Sequence, residues 1–303
     1  VRWTKRSRPK SRRAELLTAA STLALCRRGS YNAAPLASSR DNAAVLVRLP
    51  DGPALRQMFH LRYGPEAQLG WGPRLRRSFG YDTPDDVYEA LIAGTVAPGM
   101  HWLDAGCGRE LFPSNRELAR SLAARCGRLV GVDPDPTLQE NPWVHEKVAL
   151  PFDDYDGEAD FDLVTLRMVA EHIAEPERCV HSIARALRPG GVAIVYTVAA
   201  FAPMPLLTRL APMSLRHAVK SFLWGTQPKD TFPTCFRMNT RSKLRRLFAG
   251  VGCSEQHFLR LDDCRTFARF RGLLEVELRL RSLCRLVGLP YPEHCLLGVY
   301  RKA

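Results

Sequence analysis

No apolar run in this 303-residue chain reaches the roughly 20 residues that a bilayer-spanning helix requires. That excludes a helical membrane span and leaves a soluble or at most peripheral protein as the expectation. Nine cysteines are present, but they are scattered, odd in number and never arranged as Cys-x-x-Cys. Neither a zinc site nor a disulfide framework is therefore expected, and a reducing compartment, the cytoplasm, is. Acids are in short supply: 31 Asp and Glu stand against 44 Lys and Arg, a net charge of +13. The shortage is local, because residues 1–50 hold eleven basic residues against Glu15 and Asp41, a charge of +9, and the rest of the chain carries only +4. A nucleic-acid partner needs basic residues around its cleft; most of the excess sits in the arm instead, which argues against one.

What is present begins with that arm. Lys5-Arg6-Ser7-Arg8-Pro9-Lys10-Ser11-Arg12-Arg13 reads as a disordered basic extension. Rich in Arg and Ser and poor in acids, it also has the composition of an organellar transit peptide, which keeps an organelle matrix open as an alternative location. A twin-arginine export signal at Ser11-Arg12-Arg13 is spoiled by Glu15 in the short apolar stretch that follows. Residues 51–82 mix Gly, Pro, Arg and aromatics around Gly70-Trp71-Gly72-Pro73 and read as a loop-rich segment. Thr83-Pro84-Asp85-Asp86 then announces a helix, with a capping hydroxyl, a proline suited to the first turn and two acids at the positive end of the dipole. With 46% hydrophobic residues over its 303 positions, the chain can bury one large core, which falls to the domain expected at 83–303.

The centre of that region is His101-Trp102-Leu103-Asp104-Ala105-Gly106-Cys107-Gly108, an apolar run ending in an acid and two glycines. It reads as a strand that breaks into a tight turn, where the glycines allow left-handed backbone and close approach of a ligand to main-chain amides. Leu129-Val130-Gly131-Val132-Asp133 reads as a second strand, and Asp133 falls near the spacing at which an acid meets a ribose in dinucleotide folds. Phe161 to Leu166, a helix from Pro176 to Leu187, Arg188-Pro189-Gly190-Gly191 and Val192 to Thr197 then give strand, helix, stop and strand. A dinucleotide-binding oxidoreductase is the rival reading of the same glycines, but a third glycine is missing: Glu110 stands two residues after Gly108.

In their order, Leu-Asp-Ala-Gly-Cys-Gly, Val-Gly-Val-Asp, Ala-Leu-Pro-Phe, Phe-Asp-Leu-Val, Glu-His-Ile and Leu-Arg-Pro-Gly-Gly resemble the class I S-adenosylmethionine-dependent methyltransferases. The similarity runs over about residues 80–303 and implies a Rossmann-like, doubly wound seven-stranded α/β sheet with its last strand antiparallel, plus a helical cap insert. It implies S-adenosyl-L-methionine as cofactor, with Asp133 on the ribose, the Gly106-Cys107-Gly108 backbone at the methionine end, and Asp104 orienting that loop or the ammonium. Cys107 itself reads as a packing residue. Pro134 breaks the chain after Asp133 beside the same ligand, and Leu166 ends the fourth strand against it. The family places an acid before the Leu-Pro-Phe turn to accept from the adenine amino group, which falls on Glu146, with Asp153 and Asp154 as alternatives.

After the fourth strand the resemblance puts the boundary between donor and acceptor. Arg167 is the candidate for holding an acceptor carboxylate or phosphate, and His172 the candidate base. Each has a plainer reading: Arg167 pairing with Glu171, and His172 capping or packing. Tyr81 or Trp71 are candidates to close over the ligand, or are half-buried aromatics. The insert 198–239 has the apolar and proline content of a folded cap, and its basic residues suit an apolar, small-molecule acceptor bearing an anionic group. A basic amphipathic helix within 265–288 reads as a lid, a dimer face, a peripheral membrane contact or core with a solvated face. Two alternatives accompany methyl transfer to a small molecule: an RNA-directed methyltransferase that uses the basic arm, and a non-catalytic scaffold that has lost the cofactor through Glu110.

Overall fold

The run His101–Ala105 forms a strand because its residues are buried on both faces, the pattern of a central parallel strand rather than of a half-exposed one. In the computed structural model, which describes residues 44–157, 159–210 and 233–303, this strand is β1. It pairs in parallel with β2 (Arg128–Val132) on one side and β4 (Phe161–Arg167) on the other. β2 pairs with the short β3 (Glu146–Val148), and β4 with the long β5 (Leu187–Val198), both in parallel. β6 (Cys253–Asp262) and β7 (His294–Lys302) complete the sheet, β7 lying antiparallel between β5 and β6. The order is β3-β2-β1-β4-β5-β7-β6. It reverses direction between β1 and β4, and in an open α/β sheet the crevice at such a point, outside the carboxyl ends of the strands, is where ligands bind.

Helices cover both faces. On one, α1 (Gly52–Tyr63), α3 (Pro84–Thr95) and α4 (Arg116–Arg125) contribute Met58, Tyr88, Leu91, Ile92, Leu118 and Leu122 to a core with Trp102, Leu129, Leu163 and Ile194. On the other, α5 (Pro176–Ala186) and α7 (Arg241–Gly250) place Val180, Ile183, Leu244 and Phe248 against Leu103, Val130, Val164 and Val195. Alternate strand residues thus go to opposite cores, the period-two signature of a doubly wound sheet. α2 (Trp71–Ser78) and α8 (Arg271–Leu286) join in a satellite cluster built on Tyr81, Cys264, Leu274, Leu278 and Tyr291. α6 (Pro203–Leu210) opens the insert that follows β5. Positions 211–232 of the cap and the arm through residue 43 lie outside the described residues.

Residues 51–82 differ from the loop-rich reading, because α1 and α2 occupy most of them. Asp51 caps α1 by accepting from Ala54 N at 2.9 Å, Pro53 sits in its first turn, and Gly64 at φ 76° stops it. The pattern was hidden because α1 buries only Met58 and Phe59, and its fixed point is an ion pair made in its last turn with another helix. The helix read at 83 is confirmed in detail: Thr83 and Asp86 form a reciprocal capping box.

Candidate cofactor site

The site grows from the end of β1. Gly106 leaves the strand at φ 71° and Gly108 follows at φ 47°, both in the left-handed region that side chains other than glycine avoid. Gly106 N donates to Val132 O at 2.7 Å, which ties the turn to the end of β2. One residue further, Asp133 receives Gly108 N on Oδ2 at 2.8 Å and Asp135 N on Oδ1 at 2.8 Å. The Asp133 carboxylate is therefore locked in place, half-buried, with each oxygen keeping a lone pair for a second donor. A Cβ at Gly108 would meet nothing nearer than that carboxylate, at 3.9 Å, so the space above this backbone is open. Cys107 turns inward, its thiol filling the place where a side chain at Gly131 would stand, and burial pushes its pKa up. It is a packing residue.

Asp104 is buried and accepts from Thr165 Oγ1 at 2.5 Å, and that hydroxyl in turn receives Trp102 Nε1 at 2.7 Å. Burial pushes the Asp104 carboxyl up to about 7, partly offset by the Thr165 hydrogen bond and by Arg167. Between its ordinary 3.8 and about 7, folded protein holds a proton that unfolded chain has released, so ligand-free stability falls as pH rises through that window. Asp104→Asn removes this slope. Thermal melts across the window are expected to show the variant gaining on the parent as pH rises; parallel curves would contradict the assignment. A cationic ligand group beside Asp104 has the opposite linkage, since it favours the ionised form, and its affinity rises with pH up to about 7.

The loop between β2 and β3 clamps the turn, a feature the sequence did not reveal. Asn141, fully buried, donates from Nδ2 to Gly108 O at 3.1 Å and accepts from Trp143 N at 3.0 Å. Trp143 Nε1 in turn donates to Glu110 Oε2 at 2.8 Å, and Arg116 Nε lies 3.2 Å from Glu110 Oε1. Glu110, in place of the family's third glycine, is thus held by an indole and a guanidinium and its charge is compensated. Pro134 is exposed beside Asp133 and makes room for the Asp135-capped turn at 136–140.

Glu146 is a correction. It begins β3 rather than ending it, pairs in register with Val130, and is held by Arg128 Nε and Nη2, each at 2.8 Å. Both residues lie toward the amino-terminal edge of the sheet, opposite the crevice, and the Arg128 contact lowers the Glu146 pKa. The register that displaces it is fixed by Asp133 N donating to Val148 O at 3.2 Å, which puts Val148 and Ala149 at the ligand edge.

Leu166 is fully buried one residue before the end of β4, and Val169 from the following turn packs onto Gly106. Arg167 does not pair with Glu171. Its Nη2 donates to Asp85 Oδ1 at 3.1 Å, and Arg265 holds the other oxygen of Asp85 while chelating Asp263 at 2.6 and 2.8 Å. Though burial works against ionisation, Arg265 and Arg167 together hold the Asp85 carboxyl down to about 2. Asp85, read from sequence as a helix-end acid, is the hub of this chain of ions. The Nε of Arg167 is buried without a hydrogen-bond partner. His172 Nδ1 lies 2.7 Å from Pro233 O, which can only accept, so that nitrogen carries a proton and Nε2 faces Glu171 Oε1 at 4.0 Å. Glu171 accepts from Thr197 Oγ1 at 2.7 Å, and its backbone oxygen receives Cys235 N and Phe236 N. His172 therefore fastens the returning end of the insert to the β4 edge. Tyr81 is fully enclosed, donating to Asp262 O at 3.1 Å and accepting from Cys264 N at 2.8 Å, while Trp71 stands half-exposed at the start of α2.

These residues suit the group the sequence resemblance implies. A clamped carboxylate beside a glycine turn with open space at Gly108 fits a ribose diol, and a buried carboxylate at the strand edge fits an ammonium. Comparison with known proteins agrees in kind. Residues 82–257, more than half of the chain, match the family model described as a methyltransferase domain. An uncharacterized methyltransferase of Mycolicibacterium vanbaalenii is 31% identical over 165 residues, covering 45% of this chain and 61% of that protein. One from Mycolicibacterium gilvum is 32% identical over 160 residues, covering 44% and 59%. The chain thus spans about three fifths of the length of these relatives. Among solved structures, geranyl diphosphate methyltransferase in complex with GPP and sinefungin aligns with a TM-score of 0.46 and 15% identity, over 86% of this chain and 90% of that one. With strand order, glycine turn and family model in agreement, the chain belongs to the class I methyltransferase-domain family.

Proposed function

We propose that the chain is an S-adenosyl-L-methionine-dependent methyltransferase acting on a small-molecule acceptor. The observation that carries the reading is the Gly108–Asp133 clamp beside the buried Asp104, at the switch point of the sheet. Asp133 and the Gly106-Cys107-Gly108 backbone would hold the cofactor, and Asp104 would compensate its ammonium. The bound cofactor supplies a methyl group on a positively charged sulfur, ready for in-line displacement by an oxygen, nitrogen or carbon nucleophile. The protein's own part is alignment and exclusion of water, and alignment alone contributes up to roughly 7–11 kcal/mol in well-oriented systems. Arg167, whose Nε is buried without a hydrogen-bond partner, would position an electron-rich acceptor group at the end of β4. His172 would be the base, accepting a proton at Nε2, which lies 4.0 Å from Glu171 Oε1.

The test is transfer of radiolabelled methyl from the cofactor into the small-molecule fraction of a metabolite extract, with Asp133→Ala as the blank. Label in that fraction, absent from the blank, is the expected result. Label only in added RNA would move the assignment to the alternative acceptor. No label in either would leave the scaffold reading in its place.

A further inference from the structure

Glu110 stands where the resembled family carries its third glycine, yet the backbone there does not call for one. Among the described residues, Met168 and Phe236 are the non-glycine positions with positive φ, so residue 110 takes ordinary angles. The left-handed conformations of the turn fall on Gly106 and Gly108 alone. A side chain at 110 is therefore free of backbone strain, and what it does is decided by its contacts.

Those contacts join the turn to the loop ahead of β3. Trp143 Nε1 donates to Glu110 Oε2 at 2.8 Å, and Trp143 N donates at 3.0 Å to Asn141 Oδ1. Asn141 Nδ2 in turn donates to Gly108 O at 3.1 Å. The loop is thus fastened twice, to Gly108 itself and to the residue through which the chain leaves the turn. Gly108 is held on its other side by the N–H it gives to Asp133 at 2.8 Å. Any shift that frees Gly108 from Asn141 also disturbs its bond to Asp133. Leu111 and Phe112, buried in the core directly after Glu110, give the carboxylate a fixed base from which to hold Trp143.

Of the two groups on Glu110, the indole counts for more. Arg116 Nε lies 3.2 Å from Oε1, but its side chain is 67% exposed, so this ion pair contributes little. The Glu110 side chain is 19% exposed, and an N–H donated to a part-buried carboxylate is one of the stronger hydrogen bonds. A glycine at 110 could make neither contact. We propose that Glu110 is a positioning residue for the cofactor: through Trp143 it holds the 141–143 loop on the glycine turn, and with it the Gly108 amide that orients Asp133. The proposal rests on the assignment of cofactor binding to this turn. It gives the substitution a direction, in that restoring the family's glycine weakens binding.

The experiment is calorimetric titration of S-adenosylhomocysteine into the full chain and into Glu110→Gly, Glu110→Ala, Glu110→Gln and Trp143→Phe, each below its own thermal transition. Glu110→Gly and Glu110→Ala are expected to bind about tenfold more weakly, and the alanine shows that the loss is not due to glycine's extra backbone freedom. Glu110→Gln keeps an oxygen for the indole and is expected to stay within about threefold of the parent. Trp143→Phe is expected to match Glu110→Ala, and combining the two to cost less than about twofold more, because the bond is already gone. A general loosening of the fold would not be rescued by one amide oxygen. The proposal is overturned if Glu110→Gly binds as tightly as the parent or more tightly, if Glu110→Gln is as weak as Glu110→Ala, or if the losses at 110 and 143 multiply. Absence of binding by the parent would remove the cofactor assignment and this proposal with it; parent binding that every variant retains would remove the proposal alone.

Discussion

Replacing Arg62 by Met lowers the unfolding free energy by about 3–5 kcal/mol, the cost of stranding buried charge. Arg62 reaches from the last turn of α1 to Asp86 Oδ1 at 2.7 Å and to the Glu89 carboxylate, both on α3, and all three side chains are at most 3% exposed. Glu89 also receives Asn115 Nδ2 at 2.8 Å, and Asn115 caps α4 by accepting from Leu118 N at 3.2 Å. One guanidinium therefore joins three helices on one face of the sheet. Removing it leaves two carboxylates with no cation among burying walls, and burial already pushes Glu89 up. The deficit is expected to shrink at about pH 5, because protonation of the stranded acids removes their charge. Arg62→Lys is expected to fall between the two, since one ammonium cannot bridge both acids with the same geometry. Chemical denaturation at the two pH values measures all of this, and a loss below about 1 kcal/mol at neutral pH would contradict it.

Gly106→Ala has the second large effect, on stability and ligand affinity together. A Cβ built there would stand 2.3 Å from Val169 Cγ2, and the backbone is at φ 71°. The left-handed backbone costs an L-residue about 1–2 kcal/mol and overpacking about 1–3 kcal/mol, so a combined loss of about 2–5 kcal/mol is expected. The strained turn also shifts Gly108 N against Asp133, and cofactor affinity is expected to fall at least about hundredfold, some 2.7 kcal/mol. Adding Val169→Ala relieves the clash but not the backbone. The double variant is therefore expected to recover about 1 kcal/mol of stability, within the range seen for residues in contact. No recovery would mean that the conformation of the turn alone sets the cost.

The strands and the glycine turn were legible because each depends on a local pattern: continuous apolar runs, a positive-φ glycine pair, and an acid at the end of each of the first two strands; the sheet's architecture came from the family resemblance. What escaped depends on partners distant in sequence. α1 is fixed by Arg62, 24 and 27 positions from its acids, and α2 has no side-chain cap to announce it. Arg167 and Arg265 meet over Asp85 across 82 and 180 positions. Glu146 fitted a motif count, but strand register and Arg128 decided its place. Whether Glu110 weakens cofactor binding was open from the sequence because its partners, Trp143 and Arg116, lie on a loop and a helix that only the fold brings together.

The most direct measurement is calorimetric titration of S-adenosylmethionine and S-adenosylhomocysteine into the parent chain and into Asp133→Ala, with the melting curve of each recorded. Asp133 clamps the glycine turn and has one donor on each carboxylate oxygen, which leaves lone pairs for further donors. About micromolar binding of both ligands to the parent, at least about tenfold weaker in a folded variant, is the predicted result. Absence of binding by well-folded parent, or equal affinity in the variant, would contradict a cofactor site at this turn.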